Sequence, residues 1–312
     1  MAPGCRWYTG RVIRKATRSA LKILAAPFVA LAVASSPLLF STRGDRQVFT
    51  PLPALEAIST WLRGLVDGSS FSYRVGITEW SVFETLPRFF LTSLLYILVP
   101  GALGAALGTG LGIVARKRHA SWVLSVLNTL YAVPDFILAL ILQLAVISVL
   151  DLLGVKLARL SYDPRGGLFL LLPFLLMSMY PFAYCFRTAS RKAQDTEKAD
   201  FITFARAKGL CERTIRRRHI AAGVIPAIEA ELPAILALMQ ANLFICEFVF
   251  SLPGVTRLLF TTAFTGRRIG WMDNYQYGVA AWVLIAVLLI YALSWVAFRL
   301  ALRGTRKVLT GE

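Results

Sequence analysis

The sequence predicts an all-α integral membrane protein with six transmembrane helices, and three observations carry that prediction. Of the 312 residues, 57% are hydrophobic and only 16% charged, with a mean hydropathy of +0.63, well beyond what a soluble domain of this length shows. Apolar runs recur at lengths near the roughly 20 residues a helix needs to cross the hydrocarbon core. The Lys and Arg residues cluster between those runs, as topology signals do. A net charge of +17 on a soluble domain would suggest nucleic acid, but that recognition uses a basic face on such a domain. No nucleic-acid partner is expected; membrane lipid is.

Taken in order, residues 1–22 form a basic N-terminal segment and 23–42 the first span, TM1. A basic start, an apolar run and Ala32-Val33-Ala34 also fit a secretory signal with its cleavage site. The run continues through Leu38, Leu39 and Phe40, longer than a signal's apolar region, so a retained span is expected. Residues 43–88 make a long connection, and 89–302 hold five more helices: TM2 89–115, TM3 120–150, TM4 166–186, TM5 227–250 and TM6 274–298. Residues 303–312 are a tail. TM3 is interrupted only by Asp135, whereas TM5 carries Glu229 and Glu231 near its start and Glu247 near its end.

Orientation follows from the basic residues, because cytoplasmic connections carry the excess. Residues 1–22, 116–119, 187–219 and 299–312 hold 23 of the 34 Lys and Arg, and the alternate connections 11. Both termini and the loop 187–226 are therefore expected in the cytoplasm, and 43–88 outside, in a multi-pass membrane protein.

In TM2, Gly104, Gly108 and Gly112 recur at a spacing of four, which lets another helix approach closely. That partner is expected within the same chain rather than across a subunit boundary. Pro100, Pro134, Pro173, Pro181 and Pro233 lie inside spans and free backbone carbonyls that neighbours must satisfy. Polar groups inside spans are the candidates for a translocation path: Asp135, Gln143, Gln240 and Asn242. Asp135, directly after Pro134, fits either a water-filled path or a structural partnership with freed backbone groups or a basic residue. Gln240 and Asn242 suit interhelical hydrogen bonds, Glu229 and Glu231 suit pairing with Arg216 to Arg218, and Glu247 reads as a loop anchor. Four cysteines without paired spacing and two histidines imply no disulfide framework, metal site or catalytic centre.

The stretch Asp200 to Pro226, DFITFARAKGLCERTIRRRHIAAGVIP, is too basic to enter lipid. Ala205 and Gly209, four apart, would share one helical face and let a partner's surface come close, rimmed by Arg206, Lys208 and Arg213. That describes a docking helix. The residues fit equally a basic amphipathic loop resting on anionic lipid.

The wording ARAKGL at Ala205 to Leu210 resembles the cytoplasmic signature loop of permease subunits in bacterial ABC importers, closest to the peptide and nickel subfamily. Two further stretches match that subfamily in order, SFSYRVG with Leu86-Pro87 and EFVFSLPGV at Glu247 to Val255, together with Pro134-Asp135-Phe136. The resemblance covers about Phe71 to Arg303, and the long connection after the first span is similar to that of a B-type subunit. Thr203 and Phe204 stand where the wider superfamily often has glutamate and alanine, and Val224-Ile225-Pro226 follows the Ile-x-Leu-Pro ending loosely.

The resemblance implies a type I ABC importer permease fold with a cytoplasmic coupling helix, in which Ala205, Arg206, Lys208, Gly209, Leu210 and Arg213 contact an ATPase. It implies a second homologous permease, two ATP-binding subunits and an extracytoplasmic substrate-binding protein as partners, and peptides, nickel or metal chelates as cargo. No G-x-x-x-x-G-K-[ST] phosphate loop occurs in the chain, so ATP hydrolysis, with ATP and Mg as cofactors, is expected on separate chains and none here. A self-sufficient ion-coupled transporter or channel is the alternative; it would show internal repeats and several ionisable groups at mid-membrane, and the sequence offers Asp135 alone. An intramembrane enzyme lacks a converging serine, histidine and carboxylate set.

Overall fold

The computed structural model describes residues 25–43, 46–75, 78–115, 117–131, 133–155, 158–162, 170–263 and 275–310. The basic segment 1–22 and the side chain of Asp135 lie outside the described residues. The chain is mostly helical. Among the described residues four helices are long and apolar enough to cross a membrane: Val82–Val114, Phe136–Leu153, Glu212–Val249 and Tyr277–Val308.

The first helix, α1 (Ala25–Ala34), is apolar along its described length. It ends earlier than the apolar run suggests, because Ser35 donates its hydroxyl to the Ala32 carbonyl (2.8 Å) and a 3-10 turn with Pro37, Ser36–Leu39, follows. Two short antiparallel hairpins then correct the all-α expectation. Strands β1 (Phe40–Arg43) and β2 (Arg46–Phe49) pair with Phe40 opposite Phe49; β3 (Ser72–Val75) and β4 (Thr78–Ser81) pair with Tyr73 opposite Trp80. Between them runs α2 (Leu52–Asp67). The Asp67 carboxylate accepts from the Ser69 hydroxyl (2.7 Å) and N–H (2.9 Å), which hold its pKa below the usual carboxylate value.

Helix α3 (Val82–Val114) covers TM2 and begins seven residues earlier. The expected single span 120–150 is instead two helices, α4 (Lys117–Tyr131) and α5 (Asp135–Leu153). Pro134 explains the break: it has no N–H to continue the ladder and disfavours helical geometry at Val133. The Pro134 carbonyl restarts the helix by accepting from the Ile137 and Leu138 N–H groups. Helix α6 (Leu171–Glu197) outruns TM4 by eleven residues, so much of the expected 187–226 loop is helical. After α7 (Asp200–Ala207), α8 (Glu212–Thr214), a π-helical turn (Ile215–Ile220) and α9 (Ala221–Val249) continue into one another. The short α10 (Val255–Leu258) and the long α11 (Tyr277–Thr310) complete the chain.

The chain divides into two compact units. One comprises Met1–Pro87 and Leu258–Leu289. Its core gathers Leu31 and Ala34 of α1, Trp61 of α2, Ala263, and Tyr277, Ala280 and Ala281 of α11. The Trp61 ring meets Tyr277 and Trp282 edge-on, 6.4 and 5.5 Å between centroids. Tyr275 and Tyr277 hydroxyls donate to the carbonyls of Ala34 and Leu31, and the Gln276 amide pairs with both backbone groups of Arg74, acting as a short extra strand on β3.

The other unit comprises Arg88–Arg257 and Ile290–Glu312. Helices α6 and α9 pack along its centre. On α9 the buried residues Val224, Ile228, Leu232, Ile235, Met239, Leu243 and Cys246 recur every three or four positions, the apolar stripe of a helix facing a core. Helix α3 lies directly on α6. A Cβ at Gly104 would collide with the Ser178 carbonyl, one at Gly108 with that of Phe182, and one at Gly112 would stand 2.8 Å from the Ala189 Cβ. The three glycines therefore serve a backbone-to-backbone contact within this chain.

Candidate functional site

Helix α7 has two unlike faces. Ile202 and Ala205, three apart, are buried at 0% and 6% exposure, whereas Phe201 and Phe204 stand out at 53% and 61%. Asp200 in the first turn complements the helix dipole. Lys208 places its ammonium 4.5 Å from the centre of the Phe204 ring, a cation–π contact that keeps the ring presented at the surface.

The helix ends at Gly209, which corrects the expectation that Ala205 and Gly209 share a face. Gly209 has φ +79°, its N–H reaches the Arg206 carbonyl (2.9 Å), and the Leu210 N–H reaches that of Ala205 (3.3 Å). These are the two bonds of a Schellman ending, whose left-handed position favours glycine. Among the described residues nothing lies within 4 Å of where a Gly209 Cβ would be, so conformation explains the glycine. Ala205 turns inward and Leu210 outward, at 40% exposure. Arg206 then pairs with Glu212 across the turn, 2.7 Å apart, while Lys208 and Arg213 remain exposed. The outward surface is thus apolar, Phe201, Phe204 and Leu210, inside a basic rim. Behind it lies a cleft of about 540 Å³ with Glu197, Lys198 and Arg216 in its walls. The neighbouring Cys211 is exposed, and the Thr214 hydroxyl at 3.1 Å lowers its thiol pKa.

The second constellation centres on Glu247, which is 0% exposed near the end of α9. One carboxylate oxygen accepts from the Ser93 hydroxyl of α3 at 2.5 Å. The other accepts from the Thr256 hydroxyl (2.6 Å) and N–H (2.8 Å) and from the Arg257 N–H (3.2 Å). Ser93 in turn accepts from the Val255 N–H at 2.9 Å. A Cβ at Gly254 would overlap the carboxylate, and Ser251 turns the chain at φ +57° while its carbonyl accepts from Arg257. The phrase EFVFSLPGV is therefore a loop wound onto one buried carboxylate and fastened to α3. Four donors on one carboxylate suit an anchor.

The remaining candidates are scattered. Gln143 donates to the Leu160 carbonyl (3.1 Å), tying α5 to the segment after it. Gln240 is half-buried on α9. Asn242 is 1% exposed, and its Nδ2 finds no hydrogen-bond partner among the described residues. Glu229 pairs with Arg299 (2.8 Å) and approaches Arg303 (3.9 Å) of α11, in place of the expected Arg216 to Arg218; Glu231 is exposed. Ser93, Thr256, Phe201 and Phe204 escaped the sequence reading. A serine in an apolar helix and a pair of phenylalanines in a basic stretch were the available signals.

A multi-pass helical membrane protein with an exposed basic-aromatic turn and a carboxylate-pinned loop is the class these features define. Residues 102–306 match the family model described as binding-protein-dependent transport system inner membrane component, and the chain belongs to that family. It is similar to the oligopeptide transport system permease protein OppB of Escherichia coli (strain K12), 26% identical over 222 residues that cover 66% of this chain and 67% of the relative. Putative peptide transport system permease proteins of Brucella abortus (strain 2308) and Brucella suis biovar 1 (strain 1330) are 26% identical over 219 residues, with the same coverage.

Proposed function

We propose that this chain is the translocation subunit of an ATP-driven peptide importer, with six spans, cytoplasmic termini and α7 as its coupling helix. It pairs with a second homologous permease, with two ATP-binding subunits that hydrolyse ATP outside this chain, and with an extracytoplasmic substrate-binding protein. Peptide cargo, rather than nickel or a metal chelate, is supported by the names of the similar proteins.

The observation that carries the coupling role is the outward trio of Phe201, Phe204 and Leu210 beside Lys208 and Arg213. Large apolar side chains held outside the core on a short, capped helix fit a groove in another protein. A rim of basic charge steers and orients such a contact. Force delivered to α7 would pass into α6 and α9 through buried Ile202, Ala205, Ile215 and Ile220.

The test is purification in mild detergent, mass spectrometry of the chains that copurify, and uptake of a labelled peptide in cells. ATP-binding chains should copurify with the native permease and be lost, together with uptake, from Phe204→Glu. Retention of those chains and of uptake by Phe204→Glu would refute the coupling role.

A further inference from the structure

Helix α2 carries three different faces. Ala54, Trp61 and Gly64 are buried, with Ala57, Ile58 and Leu65 packed beside them against the Trp61–Tyr277 cluster. Glu56, Thr60, Arg63 and Asp67 make an exposed polar strip. The third strip is apolar and exposed: Leu52 at 69%, Leu55 at 61%, Leu62 at 48% and Val66 at 91%. At 3.6 residues per turn positions 52, 55, 59, 62 and 66 fall in one line. A helix serving only its own core has no use for that line.

We infer that α2 lies along the membrane surface at the boundary where α1 ends, with Leu52, Leu55, Leu62 and Val66 dipped into lipid. The occupant is lipid because the strip belongs with a surface that lipid already covers. Helix α1 contributes Leu31 and Ala34 to the cluster that holds Trp61, and turns Phe28, Val29 and Val33, at 71%, 60% and 54% exposure, away from it. Only 17 residues of chain, a 3-10 turn and a hairpin, separate the ends of the two helices. The hairpin carries its own exposed aromatic pair, Phe40 and Phe49, in edge contact at 5.9 Å, and aromatic rings are favoured at the level of the headgroups. The polar strip borders the lipid strip, with Glu56, Arg63 and Asp67 turned to water, as in a helix that lies in the interface plane. The inference rests on α1 being a membrane span, and is independent of cargo and of ATPase coupling.

Spin labels attached to cysteines test it in the full chain, assembled with its partner chains in lipid nanodiscs, with Cys5 and Cys211 replaced by serine. The labelled variants are Leu55→Cys and Val66→Cys on the lipid strip, and Glu56→Cys and Thr60→Cys on the polar strip, all exposed positions. Collision with oxygen, which concentrates in lipid, is compared with collision with a water-soluble nickel chelate. The ratio of oxygen to nickel collisions should be several-fold higher at 55 and 66 than at 56 and 60. Equal ratios would place the whole helix in water and overturn the inference. Shielding of 55 and 66 from both reagents would overturn it as well, by showing that a protein chain covers the strip.

Discussion

Replacing Glu247, which is fully buried near the end of α9, by alanine should destabilise this protein severely. The carboxylate takes four hydrogen bonds, from Ser93, from the Thr256 hydroxyl and N–H, and from the Arg257 N–H. The two hydroxyls can turn toward other acceptors once it is gone; the two N–H groups are fixed by the backbone. At about 1–3 kcal/mol for each buried donor left unmet, and with the cavity left by the missing side-chain atoms, Glu247→Ala should cost about 3–6 kcal/mol. Glu247→Gln keeps the shape and one acceptor and loses the charge assistance, so about 1–3 kcal/mol is expected. Gly254 supplies a cross-check. Its Cβ would overlap the carboxylate, so Gly254→Ala alone should cost about 1–3 kcal/mol from overpacking, and much less once Glu247 is already alanine. The assay is thermal unfolding of the purified protein, followed by reaction of a thiol dye with the buried Cys185 and Cys246. Midpoints should fall in the order native, Gln, Ala. Equal midpoints for Gln and Ala, or strict additivity of Gly254→Ala with Glu247→Ala, would refute the anchor.

Gly108→Leu should abolish stable insertion or assembly, since its side chain would drive into the Phe182 backbone, whereas Gly110→Leu, with nothing among the described residues within 4 Å of its Cβ position, should be tolerated; comparable amounts of both variants in membranes would contradict the α3–α6 contact. Arg299→Ala should cost about 1 kcal/mol or less despite the 2.8 Å bond to Glu229, because partly exposed pairs are screened, and a double-mutant cycle with Glu229→Ala measures that. Cysteines at Thr78 and Lys307, both exposed, should label oppositely with an impermeant thiol reagent in intact cells lacking other reactive cysteines, Thr78→Cys strongly and Lys307→Cys weakly. Equal labelling would overturn the proposed orientation.

What could be read from the sequence was local and periodic. Glycines four apart in TM2 mark a close-packed helix face, and a glutamate near the end of TM5 reads as a loop anchor. Features set by distant partners were illegible. Glu229 meets Arg299, 70 positions away, where sequence proximity points to Arg216 to Arg218. Strands of four residues are too short for their alternation to register, so the hairpins at 40–49 and 72–81 were invisible. Pro134 was visible, but a proline kinks one helix in some settings and separates two in others, and only the surrounding packing decides. At Gly209 the spacing from Ala205 assumed a continuing helix, when the stronger local signal was glycine as a helix terminator after Lys208.

The proposed docking role of α7 separates an importer subunit from a basic loop resting on lipid, and a photoreactive residue placed at Phe204 reads that difference directly. Phe204 is 61% exposed; Leu144 on α5, 63% exposed within an apolar helix, is the matched control. After irradiation of native membranes, the label at 204 should join this chain to an ATP-binding polypeptide identified by mass spectrometry, and the label at 144 should not. Attachment of the 204 label to lipid alone, with no protein adduct, would contradict the account.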